Sequence, residues 1–113
     1  MISMYIIINK EPSLSCGKLC SQVGHAVQKI TEYMIRTNKQ KWKKYNKNGC
    51  TKIVLKINST QELQELISEI DLHTEIIYDA GKTQCPENTL TAIGIEPLFE
   101  NEIPKCIKVL KLL

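Results

Sequence analysis

The sequence predicts an α/β fold: a single-domain three-layer sandwich spanning residues 1–113, with a mixed four-stranded β-sheet flanked by α-helices. Three observations predict it. Short β-branched apolar runs alternate with segments of helical periodicity, the pattern of βα units on a largely parallel sheet. The link between the third and fourth strands, Ala80 to Thr89, has ten residues. That is too few for a crossover helix, so this pair is expected to run antiparallel. A chain of 113 residues, 42% of them hydrophobic, can also bury one core without disulfide staples.

The elements follow in order. "MYIIIN", Met4 to Asn9, is a continuous apolar run, the mark of a strand buried on both faces. A loop with Pro12 leads to a helical pattern from about Gly17 to Ile35, in which Leu19, Val23, Ala26 and Ile30 form the expected core stripe. After a basic segment Gly49 breaks the chain, and "TKIVLKIN" reads as the second strand. "STQE", Ser59 to Glu62, is a capping-box signature. Leu63, Leu66, Ile67 and Ile70 then give the apolar stripe of a helix. "TEIIYD" and "LTAIGI" are the third and fourth strands, and Asn101 to about Leu110 reads as a closing helix.

The net charge of +3 conceals an asymmetry. Tyr33 to Gln61 carries eight Lys or Arg and no Asp or Glu, while the remainder carries seven basic and twelve acidic residues. The densest part, "RTNKQKWKKYNKNG", holds Lys41, Lys43 and Lys44 together with Trp42 and Tyr45. Cations interleaved with aromatic rings suit a nucleic acid, through counterion release and base stacking. The same stretch also reads as a solvated helix whose Trp42 fills the core. Five cysteines at irregular spacing do not form a disulfide framework and suggest a reducing compartment. The apolar N-terminus is too short for a membrane span, so no membrane partner is expected.

The first helix carries the chemistry. At 100° per residue Lys18, Gln22 and His25 share a line about a quarter turn from the core stripe. Cys20, Gly24 and Val27 form a small-residue side suited to close approach of a neighbour. The line starts in the first turn, where free N–H groups and the positive dipole end favour an anion or a developing oxyanion. Asp79 closes the third strand and "DAGKTQ" follows it, so both motifs reach one sheet edge if the first and third strands share a direction. Lysine, histidine, carboxylate and the Thr83 hydroxyl then make a candidate hydrolytic cluster. Each residue also has a plainer reading: a solvated histidine, a surface lysine, a turn aspartate. Cys16, Cys20 and His25 lack the paired spacing of structural zinc sites and need a distant fourth ligand such as Cys85, so buried reduced thiols are the better reading.

"GKLCSQVGHA", "KWKKYNKNGCTKIVLKINSTQELQEL", "DAGKTQCPENTLTAIGIEP" and the terminal "LKLL" resemble the archaeal and eukaryotic (second-type) peptidyl-tRNA hydrolases. The resemblance implies hydrolysis of the ester joining a peptide to the terminal ribose of tRNA, with peptidyl-tRNA as the substrate partner. It implies no metal or other cofactor, a cytoplasmic location and a homodimer. By position it gives catalytic roles to Lys18, His25, Asp79 and Thr83. Substrate contacts fall to Gln22, Lys82 and Gln84, with Lys41, Lys43 and Lys44 on tRNA phosphates. The chain departs from the family pattern at Asn9 and Glu11, where an arginine and an aspartate are usual. Val23 stands in place of a cysteine and Lys82 in place of an arginine, which loses the bidentate fork. Two other classes remain on the sequence alone: an adaptor that kept the fold without turnover, and a general RNA-binding module.

Overall fold

The computed structural model describes residues 1–81 and 86–113. β1 (Ile2–Asn9) is buried throughout, which explains why its apolar run is continuous rather than alternating. It pairs in parallel with β2 (Thr51–Ile57), from Ser3 opposite Thr51 to Asn9 opposite Ile57. The crossover between them is α1 (Cys16–Thr37) and α2 (Lys39–Lys47). One residue ends the first helix and starts the second: the Asn38 N–H donates to the Met34 carbonyl, while its side-chain oxygen accepts from the Lys41 N–H. The basic segment is therefore mostly helix.

On its other side β1 pairs antiparallel with β4 (Thr89–Phe99), which also pairs antiparallel with β3 (Thr74–Asp79). The antiparallel turn-back between β3 and β4 is as expected. The sheet is mixed but not largely parallel, since β1 with β2 is the one parallel pairing among the described strands. β4 inserts between β1 and β3, a long-range choice with no local signal. It still leaves β1, β2 and β3 pointing the same way, so their carboxyl ends share an edge.

The expected count of four strands is corrected to five. β5 (Lys111–Leu112) pairs with β2 through Leu55 opposite Leu112 and Lys56 opposite Lys111, giving the order β3-β4-β1-β2-β5. Two residues are too short to show a period. The expected closing helix is also shorter than its pattern suggested. A 3-10 turn at Glu100–Glu102 precedes α4 (Lys105–Lys108), because Pro104 cannot continue a helix and caps a new one instead.

The core divides by residue parity along β1. Ile2, Met4, Ile6 and Ile8 pack with Ala26, Ile30 and Met34 of α1 and with Tyr45 of α2. Tyr5 and Ile7 pack on the opposite side with Leu63 and Leu66 of α3 (Thr60–Glu69) and with Ile107 of α4. The Ser59 side chain accepts from the Glu62 N–H, so the expected cap on α3 is present. α1 lies close on β4 at Gly94, where a Cβ would meet Ile30 Cγ1 at 2.9 Å and the Ala26 carbonyl at 3.2 Å. The side of α1 suggested for close approach is open instead: Cys20 and Gly24 are exposed, and nothing lies within 4 Å of a Cβ at Gly24. Among the described residues no helix is long and apolar enough to cross a membrane.

Candidate active site

α1 begins at the edge where β1, β2 and β3 end. The Ser15 hydroxyl accepts from the Lys18 N–H and starts the helix, which directs Lys18 across to the end of β3. There Lys18 Nζ meets Asp79 Oδ1 at 2.5 Å. The Asp79 side chain is only 4% exposed and that of Lys18 17% exposed, so the pair is withdrawn from water yet reachable from one side. Asp79 Oδ2 accepts from the Gly81 N–H at 2.7 Å. Gly81 has φ +77°, and a Cβ there would fall 2.5 Å from Glu87 Cα and N. Only glycine fits at this position, where its N–H holds the carboxylate.

The polar line expected on α1 divides according to depth. Gln22 is buried at 1% exposure, and its amide donates to Thr91 Oγ1 at 2.5 Å. It is directed into the protein in place of the expected substrate contact. Thr91 in turn donates to the Ile77 carbonyl at 3.1 Å. The ladder shifts register here, Ile77 pairing with Ala92 but Tyr78 with Leu90, so Thr91 is the extra residue of a β-bulge. Gln22 and Thr91 therefore satisfy the bulge that sets the end of β3 and aims Asp79. Thr91 was missed from sequence because it sits within a strand pattern, where a threonine is unremarkable.

His25 stays outside. It is exposed, 3.4 Å from the Ser21 hydroxyl, and lies seven residues beyond Lys18, about 10 Å along the helix axis. It lines a cleft of about 490 Å³ between α1 and β3, with Gln28, Lys29, Glu32, Ile76, Ile77 and Tyr78. Lys82, Thr83 and Gln84, expected to serve the same site, lie outside the described residues, as does Cys85.

Asn9 and Glu11 form a structural clamp at this edge. Asn9 is fully buried and donates to Thr60 Oγ1 and to the Leu90 carbonyl, both at 2.8 Å. Its own side-chain oxygen accepts from the Glu11 N–H. The Glu11 carboxylate accepts from the Thr60 N–H at 3.1 Å, an acid at the positive end of α3. An uncharged Asn9 therefore ties β1 to β4 and α3, and a charge at this buried point would need a different partner.

The basic block lies at the other end of α1, a helix of 22 residues and hence about 33 Å long. Tyr45 is fully buried and donates to the Thr51 carbonyl; Trp42 is half-buried against the same core. Both rings are structural, so the stacking reading fails for Tyr45. Lys41 is held by Glu102 at 2.9 Å and lies over the Phe99 ring. Burial alone would raise the Glu102 carboxyl, but the Phe99 N–H and the Lys41 ammonium outweigh it and hold the group below its ordinary value. Lys43 and Lys44 are exposed.

The thiols are not buried as expected. Cys16 and Cys20 are exposed, and Cys50 and Cys106 are half-buried, all four unpaired by disulfides. Among the described residues no three His, Cys, Asp or Glu side chains gather to hold a metal ion.

A model of the family described as Peptidyl-tRNA hydrolase PTH2 matches residues 2–113. Among similar proteins, the peptidyl-tRNA hydrolase of Saccharolobus solfataricus is 36% identical over 123 aligned positions, covering 100% of both chains. That of Saccharolobus islandicus is 35% identical over 120 positions, again covering 100% of both. The peptidyl-tRNA hydrolase of Sulfurisphaera tokodaii is 36% identical over 117 positions, covering 97% of each.

Proposed function

The chain belongs to the peptidyl-tRNA hydrolase PTH2 family, and from that membership we infer its function: hydrolysis of the ester between a peptide and tRNA. The full-length match carries this reading. The structure adds a withdrawn Lys18–Asp79 pair at the carboxyl edge of the sheet, where sites form in open α/β folds.

We assign the chemistry as follows. Water attacks the ester carbonyl carbon, and Asp79 orients it and receives its proton. The negative charge that develops on the carbonyl oxygen is stabilised by the Lys18 ammonium. Collapse of the tetrahedral intermediate breaks the bond to the ribose oxygen, which takes back the proton held by Asp79, and the released carboxylic acid gives its own proton to solvent. The products are a free peptide carboxylate and a tRNA with its terminal hydroxyl restored. His25 faces the cleft about 10 Å along the helix from Lys18, so its contact is with bound substrate rather than with the attacking water. Gln22 and Thr91 act as positioning residues through the bulge. By the resemblance alone, Thr83 takes a catalytic role and Lys82 and Gln84 contact the substrate.

The tRNA body binds across the far end of α1. Lys43 and Lys44, exposed on α2, supply the cations for its phosphates. Residues 1–113 act as one hydrolase domain with helices on both faces of its sheet, a reading supported by the two core clusters. A cytoplasmic location accords with Cys16, Cys20, Cys50 and Cys106, the cysteines among the described residues, none of which is in a disulfide. The exposed Leu112 of the short edge strand β5 and Val109 before it give a homodimer an apolar contact.

The deciding experiment is incubation with a defined peptidyl-tRNA. Release of free peptide and intact tRNA is expected; binding without release would return the protein to the adaptor or RNA-binding class.

A further inference from the structure

The site described above fixes where the ester sits but leaves open where the peptide goes. β3 is one of the two edge strands of the sheet, with β4 on one side and no described strand on the other. An edge strand presents unpaired N–H and C=O groups, and proteins usually blunt such edges with charge, proline or a covering element. Here the one charge before Asp79, Glu75, lies in the first half of the strand and is paired with His73, while the half leading to Asp79 is Ile76, Ile77 and Tyr78, of which Ile76 and Tyr78 are 37% and 56% exposed. The apolar half of this edge runs directly into Asp79, the next residue.

The cleft beside this edge is lined by His25, Gln28, Lys29 and Glu32 from α1. Lys29 and Glu32 balance each other, so the wall carries no excess of positive charge. That suits an uncharged peptide main chain better than a polyanionic RNA strand, and the exposed lysines of α2 lie at the other end of α1.

We propose that the outer edge of β3 is the subsite for the peptide of the substrate, which adds to the sheet as a further strand. The proposal rests on the hydrolase function inferred above. The ester carbonyl belongs to the peptide's C-terminal residue, and that carbonyl must reach Lys18 and Asp79 at the end of β3. The peptide therefore runs in the same direction as β3, paired in parallel. Main-chain pairing gives affinity without reading sequence, while side chains alternate away from the contact. A hydrolase that must accept peptides of many sequences needs recognition of this kind. β3 has six residues, about 20 Å of edge, enough to pair with roughly five residues of peptide.

The test uses the intact protein with peptidyl-tRNAs of increasing peptide length, and then with single backbone N-methyl groups at successive positions upstream of the ester-bearing residue. kcat/KM should rise with length and level off near five residues. N-methylation should lower it about tenfold at every second position and little at those between, since only alternate amides face the edge. Hydrogen exchange gives a direct readout: a non-hydrolysable amide-linked peptidyl-tRNA should slow exchange of β3 amides at least tenfold, and uncharged tRNA should not. Uniform tolerance of N-methylation together with unchanged β3 exchange, in a protein that hydrolyses unmethylated peptidyl-tRNA, overturns the subsite and leaves the function standing. Failure to hydrolyse any peptidyl-tRNA overturns both.

Discussion

Replacing Lys18 by Ala tests the candidate site and its energetics together. The ammonium is 2.5 Å from an Asp79 carboxylate whose side chain is 4% exposed. Removing one partner of a buried ion pair typically costs about 3–5 kcal/mol. Two features lower the expectation to about 2–3 kcal/mol: Asp79 keeps the Gly81 N–H, and Lys18 is itself 17% exposed. Asp79→Asn should cost only about 1 kcal/mol, because the amide keeps the shape and the freed ammonium can turn to water. Urea unfolding at neutral pH measures this asymmetry. Turnover of peptidyl-tRNA should fall about a hundredfold in each variant, or about 2.7 kcal/mol of transition-state stabilisation. On the proposed mechanism both groups serve one transition state, so the double variant should lose far less than the ten-thousandfold product of the single losses. Binding of uncharged tRNA should stay near parental throughout. Near-parental turnover in both single variants would show that the pair is a structural ion pair only. Losses that multiply fully would show that the two groups act in separate steps.

Lys43→Ala with Lys44→Ala should weaken tRNA binding and flatten the dependence of log K on log salt by about 1.5; an unchanged slope would place the RNA contact elsewhere. Gly81→Ala forces a Cβ into the Glu87 backbone and a side chain onto φ +77°, so turnover should drop at least tenfold with tRNA binding retained. Loss of both in parallel would mean the change acts on folding alone. The Glu102 carboxyl is held below its unfolded value, so its stabilisation is complete above that value and lost as pH falls through the folded one. Glu102→Gln should remove this part of the acid-side decline, a change under about 1 kcal/mol because the pair is partly solvated; an identical acid transition would refute it. Burial and then Glu69 push the Cys106 thiol up, so iodoacetamide should label the exposed Cys16 and Cys20 first. Early labelling of Cys106 would contradict the packing of α4.

Sequence by itself determined the elements whose signals are local. The β-branched run of β1, the Ser59 cap of α3 and the too-short link between β3 and β4 all express contacts within a few residues. The acid-free stretch from Tyr33 to Gln61 and the joint presence of the Lys18 helix and the Asp79 loop were legible for the same reason. Tertiary structure decided what depends on partners far along the chain. That β4 lies between β1 and β3, and that two C-terminal residues make a fifth strand, follows from pairings no local period reports. The helix line Lys18, Gln22, His25 looked uniform at 100° per residue, but β3 and β4 cross beneath it at different depths. Lys18 therefore meets Asp79, Gln22 is buried on Thr91, and His25 stays at the cleft. Lys41, Lys43 and Lys44 are alike in sequence, and only the return of the chain at Glu102 separates the first from the other two. Asn9 read as a lost charge, yet its amide joins Thr60, Leu90 and Glu11, groups brought together across 51 and 81 residues of chain. A pattern of spacing fixes which way a side chain points; what waits there is set by the packing of distant segments.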